Sequence, residues 1–326
     1  MELKEWARLE SMWQYMNCLR RLTEKLPPER WSCTQEDGSV EELGILKNYL
    51  RYTFSKLFDE REAAPERDKQ THIYMDDYIA CFDMGLFDKN GDKVYSYYVK
   101  NDLEGHQEWL FRDFVIGSRF LCGGDSRELA GRPLSDLRRA NYLAEPSALV
   151  FNVEWEIRPN WDHILGEDGG GGGTFHRLPE ALRKLGKNFC RTHITGELVQ
   201  LKKRIQANYK TTVPQWYEGG VQLLAPLYLM AGPCPDVVLT LSQNRSEGVY
   251  YGKTLLTLEM AYKNARLIAR PDSDWLQVAD SVDGLTDEGA EREANPKRID
   301  TDGPKIRDLL APLLSNPSEN VALVAP

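Results

Sequence analysis

The stretch YIACFDMGLFDKNGDKVYSYYV, residues 78–99, decides the fold class. Its two halves, YIACFDMGLF and KVYSYYV, are rich in β-formers, and DKNGD stands between them. An Asn-Gly step accepts the left-handed backbone of a tight turn, so Asn90-Gly91 predicts a hairpin. Helical spacing appears upstream. Leu46, Leu50, Phe54 and Leu57 share one face of a helix expected over residues 41–60. Leu3, Trp6, Leu9, Trp13, Met16 and Leu19 form a second stripe, which predicts a single helix over 3–26 ended by Pro27 and Pro28. Downstream, strands are expected at 109–116, 148–157, 237–241 and 250–258, and helices at 179–208 and 260–269. Regular βαβ repetition is missing. The expected fold is therefore α+β, a mixed or antiparallel sheet flanked by helices in one large domain. Its expected parts are an N-terminal helix within 1–40, a core over 41–276 and an acidic extension over 277–326.

The whole chain has 326 residues, 41% apolar and 10% aromatic, which is material for a large buried core. No apolar run is long enough to span a bilayer, and MELKEWARLE is not a secretory signal, so a cytoplasmic protein with no membrane partner is expected. The six cysteines lack a C-x-x-C pair and read as buried reduced thiols.

Charge is unevenly placed. After Pro271 the tail carries twelve acids against five basic residues, which is −7 of the chain's −9 and leaves the body near neutrality. Between Arg177 and Lys210, nine basic residues face two acids, a local +7 on a segment expected to be helical. Such a stretch attracts phosphate-bearing ligands, whereas an isoelectric point of about 5.3 argues against coating nucleic acid in bulk. A solvated helix face is the plain alternative. Near its end lie Lys203, Arg204, Asn208, Tyr209 and Lys210, followed by Gln215, Trp216, Tyr217 and Gln222. Cations hold phosphate, aromatic faces stack on bases and amides read base edges, so the mixture suits a nucleotide or single-stranded RNA. The five-glycine run 169–173 has no phosphate-loop motif around it and reads as a linker.

LTLEMAYKNARLIARP supplies a second polar group, with Glu259, Tyr262 and Arg266 on one helical face and Asn264 beside them. Glu259 suits either proton transfer or the neutralising of Lys263 or Arg266. Arg266 lies in an apolar context, where a guanidinium needs a partner. His163 follows Asp162, the one adjoining carboxylate and imidazole, which suits either proton transfer or a structural role. H-E-x-x-H, G-x-S-x-G and S-x-x-K are absent, so metalloprotease and serine-hydrolase readings lack motifs. No residue pattern names a cofactor or a metal.

LKNYLRYTF (46–54), FDMGL (82–86), NWDHIL (160–165), RLPEAL (177–182), KKRIQANYKTTVPQWY (202–217), VQLLAPLYL (221–229) and KTLLTLEMAYKNARLIARPDSDWL (253–276) together resemble the domain of unknown function 3825. The resemblance covers residues 45–276. Members carry Asn and Thr where this chain has Asp83 and Met84, and Asp in place of Glu259. Family members occur joined to RNA-associated modules, so the resemblance implies RNA or nucleotide biology by association. The leading expectation is a nucleotide- or RNA-directed enzyme acting at a phosphate ester, as a phosphoester hydrolase or a nucleotidyl or phosphoryl transferase. In it Arg204, Lys210 and Arg266 hold phosphate, Asn208 and Gln222 orient substrate, and Glu259 and His163 move protons. The rivals are a non-catalytic module for single-stranded RNA and a biosynthetic enzyme whose arginines clamp a small carboxylate.

Overall fold

The computed structural model describes residues 1–142, 144–166, 173–217 and 219–268. The chain begins with α1 (Leu3–Trp6), β1 (Ala7–Arg8), α2 (Met12–Lys25), a ribbon of β2 (Cys33–Thr34) and β3 (Val40–Glu41), and α3 (Gly44–Ala63). Next come β4 (Tyr74–Met75), β5 (Ile79–Phe87), β6 (Lys93–Lys100), β7 (Trp109–Ile116) and β8 (Arg119–Phe120). The second half holds β9 (Glu156–Pro159), α4 (Trp161–Ile164), α5 (Glu180–Arg183) and α6 (Lys187–Ala207). It ends with β10 (Val213–Tyr217), β11 (Gly220–Leu227), β12 (Val237–Asn244), β13 (Val249–Leu256) and α7 (Leu258–Ala265).

The fold is α+β, with two sheets and flanking helices. The first sheet runs β1-β7-β6-β5-β4 with β8 beside β7, and the second runs β10-β11-β12-β13-β9. Pairing is antiparallel except at the edges, where β1 joins β7 and β9 joins β13 in parallel. The expected hairpin is β5–β6, turned at Asp88–Asp92. There the Asp88 carboxylate accepts the amides of Asn90 and Asp92 at 2.8 and 2.9 Å, and Gly91 takes φ +89°.

α2 and α3 pack on the first sheet through Leu19, Leu22, Leu46, Leu50 and Phe54, which meet Phe82, Tyr98 and Trp109 in the largest apolar cluster. That cluster continues through Ala261 and Ala265 of α7 to Leu224, Val238 and Leu256 of the second sheet. The alternate residues of those strands, Leu223, Leu239, Leu241 and Leu255, face α6 and meet its Ile194, Leu198, Leu201 and Ile205. The second sheet is thus covered on both faces, each fully buried Leu contributing about 1.5–3 kcal/mol.

Several elements differ from the sequence expectation. The helix over 3–26 is two helices, because Ala7 and Arg8 pair with Trp109 and Leu110, and Ser11 Oγ then caps a new helix at Gln14 N. The break shifts the helical phase, so Trp13 is 74% exposed. The span 179–208 divides at Gly186, whose φ of +89° an L side chain rarely adopts. Residues 148–155 are not strand: Pro146–Leu149 forms a 3-10 turn and the Asn152 side chain accepts Glu154 N at 3.0 Å, which leaves only β9. β10 and β11 were not anticipated. Cys18, Cys33, Cys81 and Cys190 are buried thiols, whereas Cys122 is half-buried and Cys234 exposed. The acidic extension and glycines 169–172 lie outside the described residues. No helix among the described residues is long and apolar enough to cross a membrane.

Candidate functional site

The face of the second sheet turned away from α6 changes character along its strands. Leu224 and Val238 lie in the apolar cluster that α7 shares, while two residues along the same strands stand Gln222 and Thr240. Gln215 of β10 sits directly opposite Gln222, and its Nε2 donates to Gln222 Oε1 at 3.0 Å. These polar groups floor a cavity of about 800 Å³, hereafter the amide cavity, with Met260 and Asn264 of α7 on one side. Gln215 is 1% exposed and its Oε1 has no hydrogen-bond partner, a vacancy that protein interiors seldom leave.

Two local structures bring nitrogen groups to this floor. Asn160 caps α4 by accepting His163 N at 3.3 Å, and the imidazole Nε2 of His163 lies 3.2 Å from Thr254 Oγ1 on β13. The turn Phe175–Arg177 is tied down at Thr174, whose amide donates to His163 O at 3.0 Å and whose hydroxyl accepts Leu255 N at 3.3 Å. That turn carries His176 and Arg177 into the cavity lining. Arg177 Nη1 donates to Leu255 O at 2.7 Å and its Nε to Glu36 at 2.7 Å, with His176 Nε2 3.8 Å from the same carboxylate. Lys253, exposed on β13, has no ion-pair partner among the described residues. Tyr217 and Tyr251 flank the opening, 40% and 37% exposed. The cavity therefore combines an amide edge, two imidazoles, two cations and exposed aromatic surface.

Of the residues singled out in the sequence, His163, Gln215, Tyr217, Gln222 and Asn264 meet in this cavity. The structure does not bring Arg204, Lys210 and Arg266 together as a phosphate clamp. α6 covers the opposite face of the second sheet and ends at Ala207, so Lys203, Asn208, Tyr209 and Lys210 are exposed away from the cavity. Arg204 is held by Glu197 and lies over the Tyr228 ring at 4.8 Å. Arg266 pairs with Glu29 and Tyr262 is buried in the core. Glu259 is not part of the amide-cavity lining; it meets Arg30 at 2.6 Å, while Lys263 meets Glu41 at 3.2 Å. The expected pairing of Glu259 with Lys263 or Arg266 inside α7 is replaced by three ion pairs to residues 29–41, which bind the helix to the N-terminal segment.

His176, Thr240 and Lys253 line the cavity without having been singled out in the sequence, and Arg177 was counted there only as the first residue of the basic stretch. For His176-Arg177 the one local signal was a basic pair opening RLPEAL; Thr240 and Lys253 gave none until strand register was known. Among the described residues one trio has metal-ligand spacing, Cys18, Asp113 and Cys122, with ligand atoms within 4.8 Å of one another. It lies outside the cavity, and Asp113 already accepts Phe114 N at 2.7 Å and Cys122 N at 2.8 Å.

A sequence profile for a domain of unknown function (DUF3825) matches residues 22–275. Neither a curated protein nor a solved structure matches the chain. Every quoted segment of the resemblance except LKNYLRYTF and FDMGL contributes at least one residue to the amide cavity.

Proposed function

The chain belongs to the DUF3825 family, whose description carries no reaction, and from that premise we propose that the amide cavity holds a nucleotide-like phosphate ester on which the protein acts. Arg177 and Lys253 attract the phosphate, the first oriented by Glu36 and Leu255 O, the second as a mobile ammonium. The Gln215–Gln222 pair offers hydrogen-bonding groups to the edge of a base, and Tyr217 or Tyr251 offers a stacking face. His163 and His176 move the protons that breaking a phosphate ester requires, one taking a proton from the attacking oxygen and the other giving one to the leaving oxygen. The observation that supports this reading most is the Gln215 Oε1 acceptor, buried and unpartnered on the floor of a cavity that also carries both imidazoles.

The test is calorimetric titration with a panel of nucleoside monophosphates and cyclic nucleotide diesters, followed by product analysis. Wild-type protein is expected to bind and turn over one member, and His163→Asn to keep affinity while turnover falls about 10²–10⁴-fold. Absence of affinity for every member sinks the reading.

A second reading draws on exposed Lys203 and Tyr209, the latter 62% exposed, on the α6 side of the sheet. They provide charge and a stacking face for single-stranded RNA without turnover. That reading requires affinity that falls steeply with salt and is lost in Lys203→Ala and Tyr209→Ala.

A further inference from the structure

A second cavity of about 700 Å³ opens where α7 ends, among α3, β5 and residues 137–142. Its floor is shaped by a bulge. β5 and β6 lose register between Asp83 and Phe87, Gly85 takes φ +72°, and Asp83 Oδ1 accepts Gly85 N at 2.7 Å. A Cβ on Gly85 would stand 3.0 Å from the Tyr49 hydroxyl, so the glycine keeps the floor open.

The cations of this cavity fall into two classes. Lys93 is neutralised by Asp83 at 3.1 Å and also donates to Leu137 O at 3.0 Å, while Arg266 pairs with Glu29 and lies over the rings of Trp31 and Tyr49 at 4.9 and 5.0 Å. Arg138 and Arg139, by contrast, are exposed and make no ion pair among the described residues, although the Arg139 guanidinium lies 5.6 Å from the Phe87 ring. Two successive unpaired guanidiniums form a receptor for an oxyanion, and their forked donors match phosphate best. Deeper in, Thr53 is 1% and Tyr142 8% exposed; neither the Thr53 Oγ1 nor the Tyr142 hydroxyl meets a partner with good hydrogen-bond geometry, although the Thr53 hydroxyl stands close enough to the Tyr49 and Tyr142 hydroxyls to lower the pKa of each against the rise that burial causes. Buried hydroxyls so poorly paired lower stability unless something arrives to meet them.

We propose that this arginine cavity is a second ligand site that takes a phosphorylated polyol. Arg138 and Arg139 grip the phosphate at the mouth. Thr53 and Tyr142 exchange hydrogen bonds with the polyol hydroxyls, for which groups that both donate and accept are the natural partners. The Asp83–Lys93 pair supplies one further acceptor and one further donor without adding net charge. The site is separate from the amide cavity and shares no residue with it.

The experiment is calorimetry and thermal melting of the full chain with ribose 5-phosphate, ribose and inorganic phosphate as probes. Ribose 5-phosphate is expected to bind at least tenfold more tightly than either of the others. Affinity should fall at least tenfold in Arg138→Ala/Arg139→Ala, whose changes are exposed, and stay unchanged in Lys253→Ala. Thr53→Val, which keeps the shape and removes the poorly paired hydroxyl, should raise the melting temperature of the empty protein and weaken ribose 5-phosphate binding at least threefold. The proposal is overturned if ribose 5-phosphate does not bind, if inorganic phosphate binds as tightly, or if Lys253→Ala abolishes binding while the arginine variant keeps it. It is overturned equally if Thr53→Val melts lower, for the hydroxyl then already has a protein partner.

Discussion

In the amide cavity the floor arises from strand alternation: Gln215, Gln222 and Thr240 share a sheet face with Val213, Leu224 and Val238, each two residues along its strand. In the arginine cavity they come from chain segments far apart in sequence, with Thr53, Asp83, Arg138 and Arg266 meeting around a bulge. The first is held in shape by sheet register, which is indifferent to charge. The second is held by ion pairs, chiefly those of α7 with residues 29–41. A charge deletion on α7 should therefore harm the second cavity and overall stability more than the first, which α7 lines only through Met260 and Asn264, and an amide deletion should do the reverse.

The sharpest way to break that contrast is Arg266→Ala. Glu29 and Arg266 expose only 6% and 12% of their side chains, so losing the guanidinium strands a buried carboxylate. A loss of about 3–5 kcal/mol is expected in urea unfolding. Removing both charges in Glu29→Leu/Arg266→Leu should recover most of it, because the carboxylate no longer needs a partner. A small loss in the single variant would mean that α7 is held by its apolar face alone.

Next in size is Gln215→Leu. It removes the unpartnered acceptor and leaves the Gln222 carbonyl without its donor, so nucleotide affinity should fall about tenfold or somewhat more by titration, equivalent to about 1.4–2 kcal/mol. Ribose 5-phosphate binding should not change. If both ligands weaken together, the two cavities are coupled and the separation drawn above fails.

Acid stability gives a smaller effect with a definite sign. Burial raises the Glu41 pKa, but the ammonium groups of Lys47 and Lys263 outweigh it, so the carboxyl ends below its ordinary value of 4.5. A carboxyl whose folded pKa lies below its unfolded one stabilises the fold fully above that ordinary value, and the contribution is lost as the pH falls through the folded value. Lys263→Met should cost at most about 1 kcal/mol at neutral pH and make stability less steep below pH 4.5, measured by urea midpoints across the acid range. An unchanged slope would show that the pairs of α7 do little in solution.

The sequence revealed what depends on near neighbours. The β5–β6 hairpin and the buried stripe of α3 were legible because alternation, an Asn-Gly step and a four-residue repeat are local. β11 was not, since a strand buried on both faces reads as a run such as LLAPLYLM with no period of two, and β10 was not because it is a five-residue edge strand with Pro214 inside it. The candidate site was half legible. Gln215 and Gln222 were selected for their chemistry and are indeed paired, yet their neighbours His163, Arg177 and Lys253 come from segments whose meeting depends on how α4, the 175–177 turn and β13 pack. The basic charge of α6 was countable in the sequence, but the direction it faces was not. Leu198, Leu201 and Ile205 dock that helix on the far face of the sheet, a choice that charge counting does not contain.

That placement yields the smallest expected effect. Lys203 and Tyr209 are exposed and belong to neither cavity, so Lys203→Ala and Tyr209→Ala should each change stability by no more than about 0.5 kcal/mol. Nucleotide affinity should also hold, because the amide cavity lies across a sheet buried on both sides. A lysine acting only through the long-range field would shift the association rate at low salt and lose that influence as the Debye length shrinks to about 8 Å near physiological ionic strength. Titration at high and low salt therefore separates the cases. An affinity loss that persists at high salt in either variant would place the ligand on the α6 face, and the amide cavity would then have no nucleotide to bind.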